Sequence, residues 1–244
     1  MRTLKLLIEY DGTGFCGWQY QPEQRTVQGE LEKAVLKLTR EESRVHGSGR
    51  TDSGVHALGQ TAHIRTNSLH SCDIFYKGLN RFLARDVRII GVEEAADTFD
   101  SRRDALRRRY RYVISRRPRA VGRQYAWCPR EEFSLSAMKE AASSLIGDHD
   151  FTSFCKQGDA QGSCRTIVYD ITWNEEHGLI FFEIEAIRYL HNMIRIVIGT
   201  LLEVGRGKMS CSSFQRLLEE RNRCLAGQTA PAHGLFLLGV DYQQ

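Results

Sequence analysis

The segment Gly49-Arg50-Thr51-Asp52-Ser53-Gly54-Val55-His56-Ala57 sets one carboxylate between two glycines, beside an arginine and a threonine. Glycine lets a backbone turn tightly enough to present a side chain into a cleft. An aspartate in such a loop can act as nucleophile, general base or metal ligand, and Arg50 can hold a phosphate or a carboxylate through two hydrogen bonds. Each of these has a plainer competitor. Asp with Gly most often marks an ordinary turn. A magnesium site calls for further carboxylates nearby, and this loop has one. His56 reads either as a general base or as a structural histidine. A phosphodiesterase built on Asp52 and His56 would cut a strand and would usually need a metal, and the lack of a carboxylate cluster counts against it.

The elements around this loop must position it. Leu4 to Tyr10 reads as a buried strand stopped by Asp11-Gly12. Thr26 opens a helical stripe of Val27, Leu31, Val35 and Leu38. Val45 to Gly59, with glycines at 47, 49, 54 and 59, reads as loop, followed by a short strand at 60–65, a helix at 74–83 and a strand at 87–93. Arg109 to Ile114 alternates as a strand with Tyr110, Tyr112 and Ile114 on one face, and Tyr112 is assigned to the core. A helix over Leu135, Met138, Ala142 and Leu145 ends at Gly147. Strands at 166–173 and 179–187 are joined by a turn at 175–178. Helices are expected over 189–204 and 214–225, and a closing strand over 235–240. Strands interleaved with helices, then antiparallel pairing, give an α+β fold: a largely antiparallel sheet flanked by helices, in two lobes over residues 1–105 and 106–244.

Of the 244 residues, 41% are hydrophobic and 26% charged, ordinary values for a globular protein. Seven cysteines, an odd number without a C-x-x-C pair, read as free thiols, and the eight histidines lack metal-ligand spacing with them. No apolar run approaches the length of a membrane span, and the first residues lack the pattern of a signal peptide. The net charge of +4 hides an uneven distribution. Residues 102–123 carry ten arginines (102, 103, 107, 108, 109, 111, 116, 117, 119 and 123) and one acid, Asp104, while acids outnumber Lys and Arg in the rest. Such a stripe suits either a phosphate-rich partner or a solvated charged face.

At this point the residues resemble a family. Gly49-Arg50-Thr51-Asp52-Ser53-Gly54-Val55-His56-Ala57-Leu58-Gly59-Gln60 resembles the catalytic signature of TruA-type tRNA pseudouridine synthases. Tyr10-Asp11-Gly12-Thr13-Gly14-Phe15 with Gly17-Trp18-Gln19, Thr26 to Glu32, Arg108-Arg109-Tyr110-Arg111-Tyr112, His149-Asp150-Phe151 with Ser153-Phe154, Tyr189 to Val204-Gly205, and Ala230-Pro231 with Gly234-Leu235 resemble further segments of that family in the same order. Departures occur at Asp100 and Arg103, where the family usually has a His and an aromatic residue, and at Tyr189 and His191, where Phe and Tyr are commoner.

The resemblance implies an isomerase without cofactor or metal that converts uridine to pseudouridine at positions 38, 39 and 40 of the tRNA anticodon stem-loop. The N1–C1′ bond breaks, the uracil turns in its pocket, and it rejoins through C5. Asp52 is implied as the nucleophile, at C6 of the base or at the ribose. Tyr110 is implied to bind the uracil by stacking, with its phenol placed to assist loss of the C5 proton. Arg195 is implied to pair with Asp52, Leu190 to line the pocket, and Arg50 to flip or hold the nucleotide. Arg107, Arg108, Arg111, Arg116 and Arg117 are then expected on tRNA phosphates, with Arg206 and Lys208 extending that surface. The resemblance further implies a cytoplasmic homodimer with the Asp in a cleft between two similar lobes. An RNA-binding protein without catalysis, and a pseudouridine synthase for another RNA, are the competing readings.

Overall fold

The computed structural model describes residues 1–156 and 163–243. In chain order the main elements are β1 (Arg2–Tyr10), α1 (Val27–Thr39), β2 (His46–Gly47), β3 (His56–Thr66), α2 (Cys72–Phe82), β4 (Val87–Ala95), β5 (Ala105–Ser115), α3 (Leu135–Ala142), β6 (Gly147–Asp150), β7 (Arg165–Glu176), β8 (Leu179–Ala186), α4 (Met193–Gly205), α5 (Cys211–Glu220) and β9 (Leu235–Tyr242). The fold is α+β, with a largely antiparallel arrangement of strands flanked by helices. The chain divides into two compact units, Met1–Arg108 with Phe236–Gln244, and Arg109–Leu235.

In the first unit the strand order is β4-β1-β3-β9, with β2 paired to β3. Strand β1 runs antiparallel to both neighbours, and its alternating Leu4, Leu6, Ile8 and Tyr10 are buried, as period-2 patterning requires. Helix α1 begins where the sequence signals it: the Thr26 hydroxyl accepts a hydrogen bond from Gly29 N at 3.3 Å. Ser71 caps α2 in the same way, and Phe75 and Leu79, one turn apart, are its buried side chains. Strand β9 lies parallel to β3 through His56↔Phe236 and Ala57↔Leu237.

In the second unit the order is β5-β8-β7-β6. Strands β7 and β8 form a hairpin that turns through His177 and Gly178, both at positive φ (51° and 72°). Trp173 faces Phe182 across the ladder, ring centroids 4.8 Å apart. Helices α3, α4 and α5 pack on one another, and α4 is buried over nearly its whole length, matching its apolar composition.

Four segments differ from the sequence expectation. The helix expected over 214–225 spans Cys211–Glu220, ended by Arg221 in the left-handed conformation at φ 48°. The stretch 45–59, expected as loop, contains β2 and the start of β3, so the loop proper is 48–55. Its ladder pairs, His46↔His63 and Gly47↔Ala62, join residues too far apart along the chain for local patterning to reveal. The helix expected from Tyr189 begins at Met193. Asn192 adopts the left-handed conformation at φ 61°, while the Tyr189 hydroxyl donates to Ile184 O at 2.8 Å and holds residues before the helix against β8. The short polar strand β6 was not expected; it closes the edge of β7 through four pairs from Gly147↔Val168 to Asp150↔Arg165.

Candidate active site

The loop 48–55 is held at nearly every residue by the rest of the first unit. Ser48 N donates to Thr61 O at 2.8 Å, and the Ser48 hydroxyl donates to Gln60 Oε1 at 2.6 Å. The Gln60 amide turns back to donate to Gly49 O at 3.0 Å. Thr51, 7% exposed, shares a 2.8 Å hydrogen bond between its hydroxyl and that of Tyr10, and its carbonyl accepts from Trp18 N at 3.1 Å. Beyond Asp52, the Ser53 hydroxyl donates to Phe15 O at 3.1 Å and Val55 N donates to Asp52 O at 3.1 Å. Asp52 is half-buried and Arg50 is exposed. The two motifs that the sequence shows as separate strings, residues 10–19 and 49–60, are therefore one structure: the first is the platform of the second.

Glycines fit this platform for two different reasons. Gly17 sits at φ +86°, and a Cβ there would lie 2.8 Å from Thr51 O and 3.2 Å from Ser53 N. Gly54 needs its conformational freedom at φ +77°. Gly49, although it flanks Asp52 in the sequence, has no positive φ, and a Cβ on it would meet open space.

The platform is itself anchored. The Arg25 guanidinium grips Asp86 through two hydrogen bonds of 2.6 and 2.8 Å and lies 4.1 Å over the Phe15 ring. Hydrogen bonding to Arg25 holds the Asp86 carboxyl below its ordinary range. Burial pushes the Tyr10 phenol up to about 12, against the smaller effect of its Thr51 and Gln60 hydrogen bonds, so it stays protonated at neutral pH. His56, 1% exposed, has a structural setting: its Nδ1 accepts from Gly12 N at 3.0 Å, and its ring stacks on Phe236 at 4.7 Å. Asp100, one of the family departures, caps a turn by accepting from Arg102 N and Arg103 N at 2.9 Å each. Burial works to raise its pKa, but these N–H groups with the nearby Arg103 charge carry the net shift downward.

In the second unit, Tyr110 lies on β5, 9% exposed, with the Tyr189 ring edge-on at 5.0 Å. Tyr112, two residues on, is fully buried as expected. Its hydroxyl donates to Pro231 O at 2.8 Å, and burial raises its pKa well above the usual tyrosine value. Arg195 lies in the first turn of α4. Its Nε donates to Ala230 O at 2.8 Å and Nη1 to Asn192 Oδ1 at 2.7 Å, so the 228–231 segment and the residue before α4 aim its guanidinium together. Leu190 is half-buried, and its carbonyl accepts from Met193 N at 3.1 Å where the chain turns into α4.

The arginine stripe is less free than its sequence suggests. Arg111 pairs with Glu183 of β8 at 2.5 Å and Arg116 with Glu175 of β7 at 2.7 Å. Arg109 lies 3.6 Å from Glu185. Arg108 turns toward main-chain carbonyls in the first unit, donating to Ser48 O, Arg102 O and Ala105 O at 3.0, 2.8 and 3.2 Å. Arg107 and Arg117 are exposed. Arg206 pairs with Glu131 and Glu203, both at 3.0 Å, and Lys208 with Glu131 at 3.1 Å. Among the described residues no cluster of three His, Cys, Asp or Glu side chains is arranged to hold a metal ion, and no helix is long and apolar enough to cross a membrane.

The α+β fold, with an aspartate loop braced on an N-terminal platform, defines a class that the sequence comparisons identify. The tRNA pseudouridine synthase family profile matches residues 6–102 and 141–243, and the chain belongs to that family, whose members are isomerases. Particular relatives named tRNA pseudouridine synthase A match over the full length. One from Acetivibrio thermocellus is 43% identical over 245 residues, covering 99% of this chain and 100% of the relative. One from Bacillus subtilis is 42% identical over 244 residues, covering 98% of each. One from Thermoanaerobacter pseudethanolicus is 40% identical over 244 residues, covering 99% and 100%. Among solved structures, a chain of the Cbf5-Nop10-Gar1 complex aligns over 81% of this chain and about half (54%) of its own length, at 11% identity and a TM-score of 0.38.

Sequence reasoning missed the scaffold. Tyr10, Gly17, Trp18, Gln60 and the Arg25–Asp86 pair have no part in the chemistry assigned to the site, yet they brace the Asp52 loop and its platform. One signal was available: Tyr10 falls on the inward face with Leu4, Leu6 and Ile8, and a buried tyrosine hydroxyl requires a polar partner.

Proposed function

We propose that this protein isomerises uridine to pseudouridine at positions 38, 39 and 40 of the tRNA anticodon stem-loop, with Asp52 as nucleophile. The observation that carries the reading is the tethering of the Asp52 loop. A carboxylate that must meet C1′ or C6 of one nucleotide needs a fixed backbone, and hydrogen bonds anchor both Thr51 and Ser53, the residues on either side of it.

In this reading the target uridine leaves the stem at a cost of roughly a few kcal/mol, offset by contacts to remote phosphates. Tyr110 stacks on the uracil, and its phenol assists loss of the C5 proton as the base rejoins through C5. Arg195 pairs with Asp52 and favours its ionised form. Support for that role is the aiming of its guanidinium by Ala230 and Asn192. Leu190 lines the uracil pocket, and exposed Arg50 holds the flipped nucleotide. Arg107, Arg111, Arg116 and Arg117 follow the tRNA backbone, with Arg111 and Arg116 exchanging or sharing their glutamate partners as phosphates arrive. The protein acts in the cytoplasm as a homodimer.

The test is a map of pseudouridine in tRNA from a strain lacking this protein, with and without its return. Loss and restoration confined to positions 38–40 is expected. Loss at other positions, or in another RNA, would replace the stated target.

A further inference from the structure

Arg108 stands in a basic stripe and invites the same reading as its neighbours, a phosphate contact. Its surroundings in the first unit point elsewhere. One guanidinium nitrogen donates to Ser48 O at 3.0 Å and to Arg102 O at 2.8 Å, and the other donates to Ala105 O at 3.2 Å. Three main-chain carbonyls converging on one guanidinium form a brace that joins the start of the Asp52 loop to the 102–105 segment. The planar fork of arginine suits this; a lysine ammonium carries the charge without the fork.

The opposite end of the same approach is held by Tyr10, whose hydroxyl shares the 2.8 Å hydrogen bond with Thr51, the residue before Asp52. Between these two ends the Gln60 side chain holds Ser48 and Gly49. Arg50 is exposed and makes no hydrogen bond to the described residues. The approach to Asp52 is thus fixed at Ser48, Gly49 and Thr51, leaving the Arg50 side chain available to a ligand.

We infer that Arg108 and Tyr10 are positioning residues that act through the Ser48–Thr51 backbone to set the Asp52 carboxylate, and that Arg108 does not serve as a phosphate contact. This rests on the reading of Asp52 as the reacting carboxylate. A displacement of about 1 Å at a reacting group can lower a rate about a hundredfold. Both residues therefore act on the chemical step, while affinity for tRNA stays with the exposed cations.

The experiment uses the full chain and tRNA carrying uridine tritiated at C5. Single-turnover tritium release at saturating enzyme is measured beside the tRNA Kd at several salt concentrations. For Arg108→Lys the rate falls about tenfold to a hundredfold, with Kd and the slope of log Kd against log salt unchanged. Tyr10→Phe and Thr51→Val, which delete the shared hydrogen bond from its two sides, both lower the rate and leave Kd unchanged. An undiminished rate in Arg108→Lys would overturn the inference. So would a preserved saturating rate with weaker binding and a salt slope smaller by about one, the behaviour of a phosphate contact. Should Arg108→Lys melt below the assay temperature, both readouts are repeated for it and for the wild type at a temperature where it is folded, and Tyr10→Phe, which keeps the buried ring, reports separately on the Tyr10 end. Asp52→Asn is assayed in parallel. Turnover by that variant would remove the Asp52 reading itself, whereas an inactive Asp52→Asn beside a full-rate Arg108→Lys would remove only the positioning role.

Discussion

Replacing Gly17 by alanine adds one methyl group at the contact between the N-terminal platform and the Asp52 loop, and its consequence can be worked from the geometry. The position has φ +86°, where an L residue with a Cβ costs about 1–2 kcal/mol relative to glycine. The added carbon would also lie 2.8 Å from Thr51 O and 3.3 Å from the Asp52 carbonyl carbon. Those neighbours are backbone atoms, and the Thr51 carbonyl is already engaged by Trp18 N, so relief requires the loop to move. Overpacking of this kind adds about 1–3 kcal/mol. Taken together, Gly17→Ala should destabilise by roughly 2–5 kcal/mol, a fall in Tm of roughly 4–20 °C for a chain of this size. Urea unfolding followed by circular dichroism measures it. Gly49→Ala is the paired control: with open space at its Cβ and no positive φ, it should change stability by less than about 0.5 kcal/mol. A Gly17→Ala variant as stable as wild type, or a Gly49→Ala variant as unstable as Gly17→Ala, would refute the account of how the loop is seated.

Further predictions follow from other contacts. Asp86→Asn should lower Tm at neutral pH, because the folded-state pKa of Asp86 is depressed by Arg25. The stabilisation is full above the unfolded carboxylate value of about 3.9 and is lost as pH falls through the lower folded value, so the wild-type advantage should vanish in acid; an advantage that grows toward low pH would contradict the sign. Tyr112→Phe removes the donor to Pro231 O at a fully buried site and should cost about 1–3 kcal/mol in urea unfolding; a neutral result would mean that carbonyl finds another donor. Replacing Arg107, Arg111, Arg116 and Arg117 together by Glu should weaken tRNA binding and flatten its dependence on salt, and an unchanged slope would place the binding face elsewhere.

What the sequence made legible was local. Thr26 caps α1 because its signal is a threonine beside an apolar helical stripe, and Leu4, Leu6 and Ile8 announce β1 by alternation. The Asp52 loop stood out because its chemical residues are contiguous. What stayed hidden depends on partners distant along the chain. The ten arginines are visible as a run, but Glu175 and Glu183, which pair with Arg116 and Arg111, lie on strands whose register no local pattern states. The pairing of His46 with His63 likewise converts expected loop into strand. Apolar periodicity runs back from α4 through residues that Asn192 and the Tyr189 hydroxyl hold out of the helix, so the pattern alone places its start too early. Arg108 shows the cost of reading charge without geometry: in sequence it is one of a stripe, and in the fold it braces three carbonyls.

The central claim is that the carboxylate of Asp52 performs the isomerisation. Tritium release from tRNA labelled at uridine C5, compared between the wild-type protein and Asp52→Asn with tRNA binding measured on the same samples, tests it most directly. The account predicts release by the wild type, none by the variant, and nearly equal affinity for tRNA. Sustained release by Asp52→Asn would contradict it.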